Sequence, residues 1–297
     1  MAKTIITAAL TGVLTTRKQS PAIPYTAEEI AAEARRSVEA GASIVHIHAR
    51  TPDGGAAWDV ASFRRIDDAV RAACDDVIIN YSTGAVGLPR EERIAHITTL
   101  APDMAALNMG SMNYAIYSPK TKTFYHDYVF ANPFGDIAYF LAHMNAAGTR
   151  PEMECFDTGH IRNAEPLIDM GLLTPPYQFS LIMGVLGGIP GTTKDLVHQV
   201  DSLPPHAFWQ VIGVGLKQWP LVAAALSMGG NIRVGLEDNL YLAAGELARS
   251  NGDLVAKAAT LARAVGSDVA SVAEAREILQ LPRKSHAPHR VADQPSE

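Results

Sequence analysis

The stretch Thr26 to Arg50, TAEEIAAEARRSVEAGASIVHIHAR, joins a helix to a strand without an intervening loop. Thr26 followed three residues later by Glu29 is a capping box, and Gly41 supplies the stop. The apolar, β-branched run SIVHIHA from Ser43 then reads as a buried strand. A capped helix feeding straight into such a strand is the repeating unit of a parallel sheet built with crossover helices. Two polar residues interrupt the run. At a rise of about 3.3 Å per residue, His46 and His48 share one face with Cα atoms roughly 6.5–7 Å apart. A single histidine on an apolar strand is ordinarily a satisfied core residue. Two on one face need two separate hydrogen-bond solutions unless both converge on one ion.

Working outward, the same alternation recurs along the chain. Strands are read from Thr4, Ser43, Val77, Met104, Met153, Tyr177, Phe208 and Ile232, with further helices over Val60–Ala73, Asp136–Ala147, Thr192–Ser202 and Leu216–Met228. Eight such units without a break in composition predict an α/β fold, one (β/α)8 TIM barrel occupying residues 1–297 as a single domain. A doubly wound open sheet is the alternative, but no G-x-G-x-x-G follows the first strand. Two stretches fall outside the repeat. Residues 111–134 are too long and too aromatic for an ordinary strand-to-helix loop and are expected to fold over a site or meet another subunit. The polar, proline-containing tail from about 282 reads as a flexible or interface-bound terminus, and its His286 and His289 carry no pattern.

Bulk properties narrow the classes of partner. Of 297 residues, 47% are hydrophobic and 19% charged, with a net charge of −6 and no basic cluster, which argues against nucleic acid and for a small molecule. The N-terminal run is too short and polar for a signal peptide or membrane span, so a cytoplasmic location is expected. The two cysteines, Cys74 and Cys155, read as reduced, buried thiols.

A catalytic zinc takes three protein ligands and keeps one position open. The third ligand is sought in RVGLEDN, Arg233 to Asn239, where Glu237 and Asp238 close the last strand beside the first two. Adjacent residues at a strand end point differently, so one carboxylate can bind an ion while the other acts as a base. A solvated acidic pair capping a helix is the plainer alternative. In NYSTGAVG, Ser82, Thr83 and Gly84 can cradle an anion or carboxylate, although an ordinary turn has the same composition. GVLGGIPGT, Gly184 to Thr192, is a second glycine-rich turn, without the G-K-[ST] of a Walker motif. In FDTGH, capping by Asp157 explains the sequence without a catalytic role for His160.

TAALTG, VHIHAR, STG, LNMGSMN, FDTGH, GVLGGIPGT and GGNIRVGLEDN occur in an order that resembles the β-keto acid cleavage enzyme family, from about Thr4 to Leu281. The pairing of HIHAR with RVGLEDN is the specific part; each glycine turn alone is not. The resemblance implies a zinc-containing barrel, typically a homotetramer, that converts a β-keto acid and acetyl-CoA into acetoacetate and a new acyl-CoA. By motif position it implies His46, His48 and Glu237 as zinc ligands, Asp238 as base, Arg233 positioning that base, and Ser82 in contact with substrate, with Thr83, Gly84, Asn108, Leu14 and Ala106 around the substrate. Family members acting on an amino-bearing substrate carry a glutamate at the position of Leu14 and a threonine at that of Ala106. Loss of both polar groups predicts a substrate whose distal end is neutral and apolar. Asn231 and the segment GVGLKQ, Gly213 to Gln218, also depart from the family pattern, with Lys217 standing in for a basic partner of CoA. The competing enzymatic reading is a CoA-independent metal-dependent aldolase or hydrolase on a keto acid, and a His/His/carboxylate set also accepts Fe(II), Co(II) or Mn(II).

Overall fold

A computed structural model describes residues 3–284 of the chain, so the tail histidines His286 and His289 lie outside the described residues. Eight parallel strands close into a barrel: β1 (Ile6–Ala9), β2 (Ile44–Ile47), β3 (Ile78–Tyr81), β4 (Met104–Asn108), β5 (Arg150–Cys155), β6 (Tyr177–Met183), β7 (Ala207–Gly213) and β8 (Asn231–Val234). Each pairs with the next in chain order, and β8 returns to β1 through Arg233 opposite Thr7. All eight expected strands are present, and the open-sheet alternative is excluded.

Period two sorts each strand into an outer and an inner face. Outward residues such as Ile6, Val45, Ile79, Leu107 and Phe179 form one fully buried layer with the helices, represented by Ile30, Phe63 and Phe140. Each such side chain contributes about 1.5–3 kcal/mol of burial. The helix Ala27–Ala40 starts at the Thr26/Glu29 capping box and ends at Gly41, whose φ of 118° favours glycine. Inside the barrel the first layer is apolar: Ile5, Ile44, Ile78 and Met104 meet Ala275 and Leu279 of the helix Val272–Leu279, which closes the N-terminal end. Above it the interior becomes polar, with His46, Asn80, Glu152, Ser180, Gln210 and Arg233 all buried.

Residues 111–134 contain an antiparallel hairpin, Met112–Ser118 against Thr123–Phe130, with a register shift between Tyr114 and Ile116. Its base packs Met112, Tyr114, Tyr128 and Phe130 against Phe156, Ile182 and Ile212 at the C-terminal end of the barrel. Cys74 and Cys155 are free and buried.

Candidate active site

Strand β2 delivers two imidazoles to the same place. His46 lies within the strand and His48 one residue beyond it, both buried, with ring centroids 5.3 Å apart and planes inclined by 68°. Opposite them, the chain leaving β8 turns at Gly235, whose φ is 149° and whose added Cβ would stand 2.1 Å from the Ala9 carbonyl oxygen. Only glycine lets this turn press against β1. The turn is fixed by Leu236 N–H donating to Asn251 Oδ1 at 2.8 Å and Glu237 N–H donating to Ala9 O at 3.2 Å. Glu237 Oε1 then stands 3.4 Å from His48 Nε2 and 3.8 Å from His46 Nε2.

These three side chains fit a zinc ion. Ligand atoms about 2.0–2.1 Å from a tetrahedral ion lie about 3.3–3.4 Å apart, close to the two separations observed. One oxygen, Glu237 Oε2, is buried and without a hydrogen-bond partner among the described residues. Burial and the nearby Arg233 push the His46 ring well below its ordinary pKa, toward the neutral form that a metal requires. Burial opposes ionisation of Glu237, but Arg233, His48 and His46 outweigh it and hold this carboxyl well below its usual range.

Arg233, inward on β8, binds the neighbouring acid. Its Nε and one terminal nitrogen donate to the two oxygens of Asp238 at 2.9 and 3.0 Å, and the same terminal nitrogen reaches Glu237 at 2.6 Å. Burial raises Asp238 to about 6 against the pull of Arg233. Its carboxyl therefore ionises near neutral pH, the range in which a general base works best.

A cavity of about 380 Å³ opens over these groups. Leu14, Ser82, Gly84, Asn108 and Arg233 line it with His48, Glu237 and Asp238. Ser82 Oγ accepts from Gly84 N–H at 3.1 Å, which leaves the hydroxyl proton to donate, while the buried Asn108 Nδ2 has no partner among the described residues. Two expected contacts are not part of this lining. Thr83 Oγ1 donates to the Ala106 carbonyl at 2.6 Å, and neither residue lines the cavity. Thr83 instead ties the end of β3 to β4, and Ala106 lies one layer beneath, at the level of Glu152. Asp157 caps the short helix Thr158–Arg162, as expected, and His160 fills the space beside Gly110. In the second glycine turn, Gly184 and Gly191 lie against the exposed stem of Lys217, where an added Cβ would meet that side chain.

The carboxylates of β5 are absent from the sequence reading. Glu154 lines the cavity 3.5 Å from Arg233, and burial together with Glu152 raises it to about 8. Glu152 lies one layer deeper. The signal was present: Glu152 and Glu154 alternate with Met153 in the same period-two arrangement as the histidine pair.

A family model described as beta-keto acid cleavage enzyme matches residues 3–281. The 3-keto-5-aminohexanoate cleavage enzyme of Acetoanaerobium sticklandii is 41% identical over 94% of this chain and 98% of its own length. The 3,5-dioxohexanoate:acetyl-CoA acetone transferase of Paraburkholderia graminis is 38% identical over 94% and 96%. A solved structure of ObcA superposes with a TM-score of 0.73 at 23% identity, covering 88% of this chain and 66% of that one, a likeness of fold. With a match from the first barrel strand through the helix that closes its base, and relatives aligned almost end to end, this chain belongs to the beta-keto acid cleavage enzyme family.

Proposed function

We propose that this enzyme is a zinc-dependent acyltransferase that takes a β-keto acid and acetyl-CoA and releases acetoacetate and a new acyl-CoA. The observation that carries the reading is the juxtaposition of a His46/His48/Glu237 ligand set with an Arg233-held Asp238 at the C-terminal rim of the barrel. Zinc would supply Lewis acidity to polarise the substrate ketone. Asp238 removes a proton from C2 of the keto acid, and Arg233 keeps that carboxylate ionised and aimed. Ser82 and Asn108 offer donors to substrate oxygens at the cavity wall. In the overall exchange the acyl group leaves the CH2–COO⁻ unit for the sulfur of CoA, and the acetyl group makes the reverse journey.

The distal end of the substrate is neutral and apolar on this reading. Leu14, Val86, Phe130, Val185 and Ile212 belong to the apolar part of the lining, and an ammonium group beside Leu14 would find no carboxylate at that position. The reading extends to a cytoplasmic homotetramer. No helix among the described residues is long and apolar enough to cross a membrane, and the exposed Phe124, Tyr125 and Val129 of the hairpin support association between copies.

Metal analysis of purified protein, combined with a panel of β-keto acids assayed with and without acetyl-CoA, tests the proposal. Stoichiometric zinc and acetoacetate formed only when the thioester is present are expected. Product formed without acetyl-CoA would point to the aldolase or hydrolase instead. His48→Ala is expected to lose both metal and turnover, and full zinc occupancy in that variant would overturn the ligand set. Light scattering reads the tetramer directly.

A further inference from the structure

His46 stands between two carboxylates that the barrel holds very differently. Its Nε2 faces Glu237, while its Nδ1 faces Glu152 Oε2 at 4.0 Å. That Nδ1 is buried and has no hydrogen-bond partner among the described residues. Directly across the β2–β3 pairing sits Asn80, whose carboxamide oxygen is also buried and unpartnered. The other end of the same carboxamide is engaged, since Asn80 Nδ2 donates to Glu152 Oε2.

Glu152 is fully buried at the centre of a neutral donor set. Ser180 Oγ and Gln210 Nε2, the latter at 2.6 Å, donate to its Oε1, and Thr7 Oγ1 fixes Gln210 by donating to its carbonyl oxygen at 2.8 Å. Four strands besides β5 thus contribute to one carboxylate. With both oxygens occupied it is poorly disposed to ligate an ion itself, although His46, Glu152 and Glu154 lie close enough together to be considered a second metal cluster. Its chemistry does constrain Asn80. Because the NH2 end of Asn80 donates to Glu152, the oxygen end of the carboxamide is turned away from that carboxyl and is left as an acceptor.

We propose that Asn80 and Glu152 are positioning residues for His46: together they form an acceptor arm for Nδ1–H, which fixes the ring orientation and the tautomer that leaves Nε2 free to bind the metal. A neutral imidazole carries one proton, and an acceptor on one nitrogen dedicates the other to coordination. The arm is built into the fold through strand pairing and lies entirely outside the substrate cavity, so its effect reaches the reaction only through the metal ligand. This inference rests on the metal-site reading above.

The test uses the full-length protein stripped of metal, with zinc alone as the probe, in competition against a chromogenic chelator. Glu152→Gln keeps the shape and removes the carboxylate; Asn80→Ala removes the arm while leaving Glu152 with Ser180 and Gln210. Each is expected to weaken zinc binding about 10- to 100-fold. The metal-free variants should retain the wild-type circular dichroism spectrum and a cooperative melt, which a merely structural role would disturb instead. If Glu152→Gln does not fold, Asn80→Ala alone decides. A folded variant that binds zinc with wild-type affinity overturns the proposal. Failure of the wild-type protein itself to bind zinc is a different result, and it overturns the metal reading and this inference together.

Discussion

The guanidinium of Arg233 grips both oxygens of Asp238, at 2.9 and 3.0 Å, and with the same fork reaches Glu237 at 2.6 Å. One cation therefore serves the proposed base and one proposed metal ligand. Lysine is a point charge on a flexible stem and cannot reproduce the two-toothed grip. Arg233→Lys is expected to lower kcat by about 10²-fold or more, since misaligned general bases lose most of their contribution of about 10²–10⁴. Asp238→Asn should cost a similar factor while zinc stays bound. Steady-state kinetics with parallel metal analysis separates the two roles; an Asp238→Asn enzyme of near wild-type kcat would remove this residue as the base.

Gly12 is the second place where backbone geometry sets the site. Its φ is +61°, and an added Cβ would stand 2.7 Å from Cγ of Glu237. Gly12→Ala should therefore displace a flexible side chain rather than a strand. Left-handed backbone costs alanine about 1–2 kcal/mol, a loss of a few degrees in Tm for a chain of this size. The larger effect is expected on the metal, with zinc affinity reduced roughly 10-fold or more, in the range that disturbed ligand geometry usually gives. Equal zinc affinity in the variant would mean that Glu237 is not held by this contact.

Much of the architecture was legible because barrel strands carry period-two signals within a few residues. His46 and His48 announce a shared face, and Glu237 with Asp238 stands at a strand end where only the rim of a barrel is available. The remainder depends on partners far away in sequence. Glu152 shares the period-two signal of the histidines, but its role is not readable until β3, β6 and β7 bring Asn80, Ser180 and Gln210 to it. Thr83 looks like a ligand contact until its hydroxyl is seen to be committed to the Ala106 carbonyl. The unusual length of 111–134 was readable, but its pairing was not, because the register shifts near Tyr114 and His126 adopts a φ of 52°.

His96 links stability to pH. The ring is buried, stacks on Phe63 with centroids 3.9 Å apart, and places Nε2 2.9 Å from the carbonyl oxygen of Ser82. Burial lowers its pKa from 6.5 to about 4. The unfolded chain therefore takes up this proton before the folded one does, and stability falls as pH drops from about 6.5 to about 4. The full difference amounts to about 3 kcal/mol. Glutamine at this position keeps a donor near Ser82 and cannot titrate. In urea unfolding at a series of pH values, His96→Gln should show a curve flatter by about that amount over the window, and an unchanged slope would assign the acid sensitivity to other groups.

Leu14 offers the most direct control over substrate choice, because it lines the cavity, whose apolar lining also includes Val86 and Phe130. A neutral chain end gains contact with these groups. An ammonium group beside Leu14 must be stripped of water without a carboxylate at that position to receive it, a loss of about 1–3 kcal/mol even with partial solvation. The wild-type enzyme is accordingly expected to favour 3-oxohexanoate over 5-amino-3-oxohexanoate by about 10-fold or more in kcat/KM. Leu14→Glu should move that ratio by about 10²-fold toward the amine, and the change should appear mainly in KM, because the added charge meets the distal end of the substrate rather than the reacting carbons. A wild-type preference for the amine would sink the apolar assignment. An unmoved ratio in the variant would leave the preference intact and shift its origin to the aromatic residues of the hairpin.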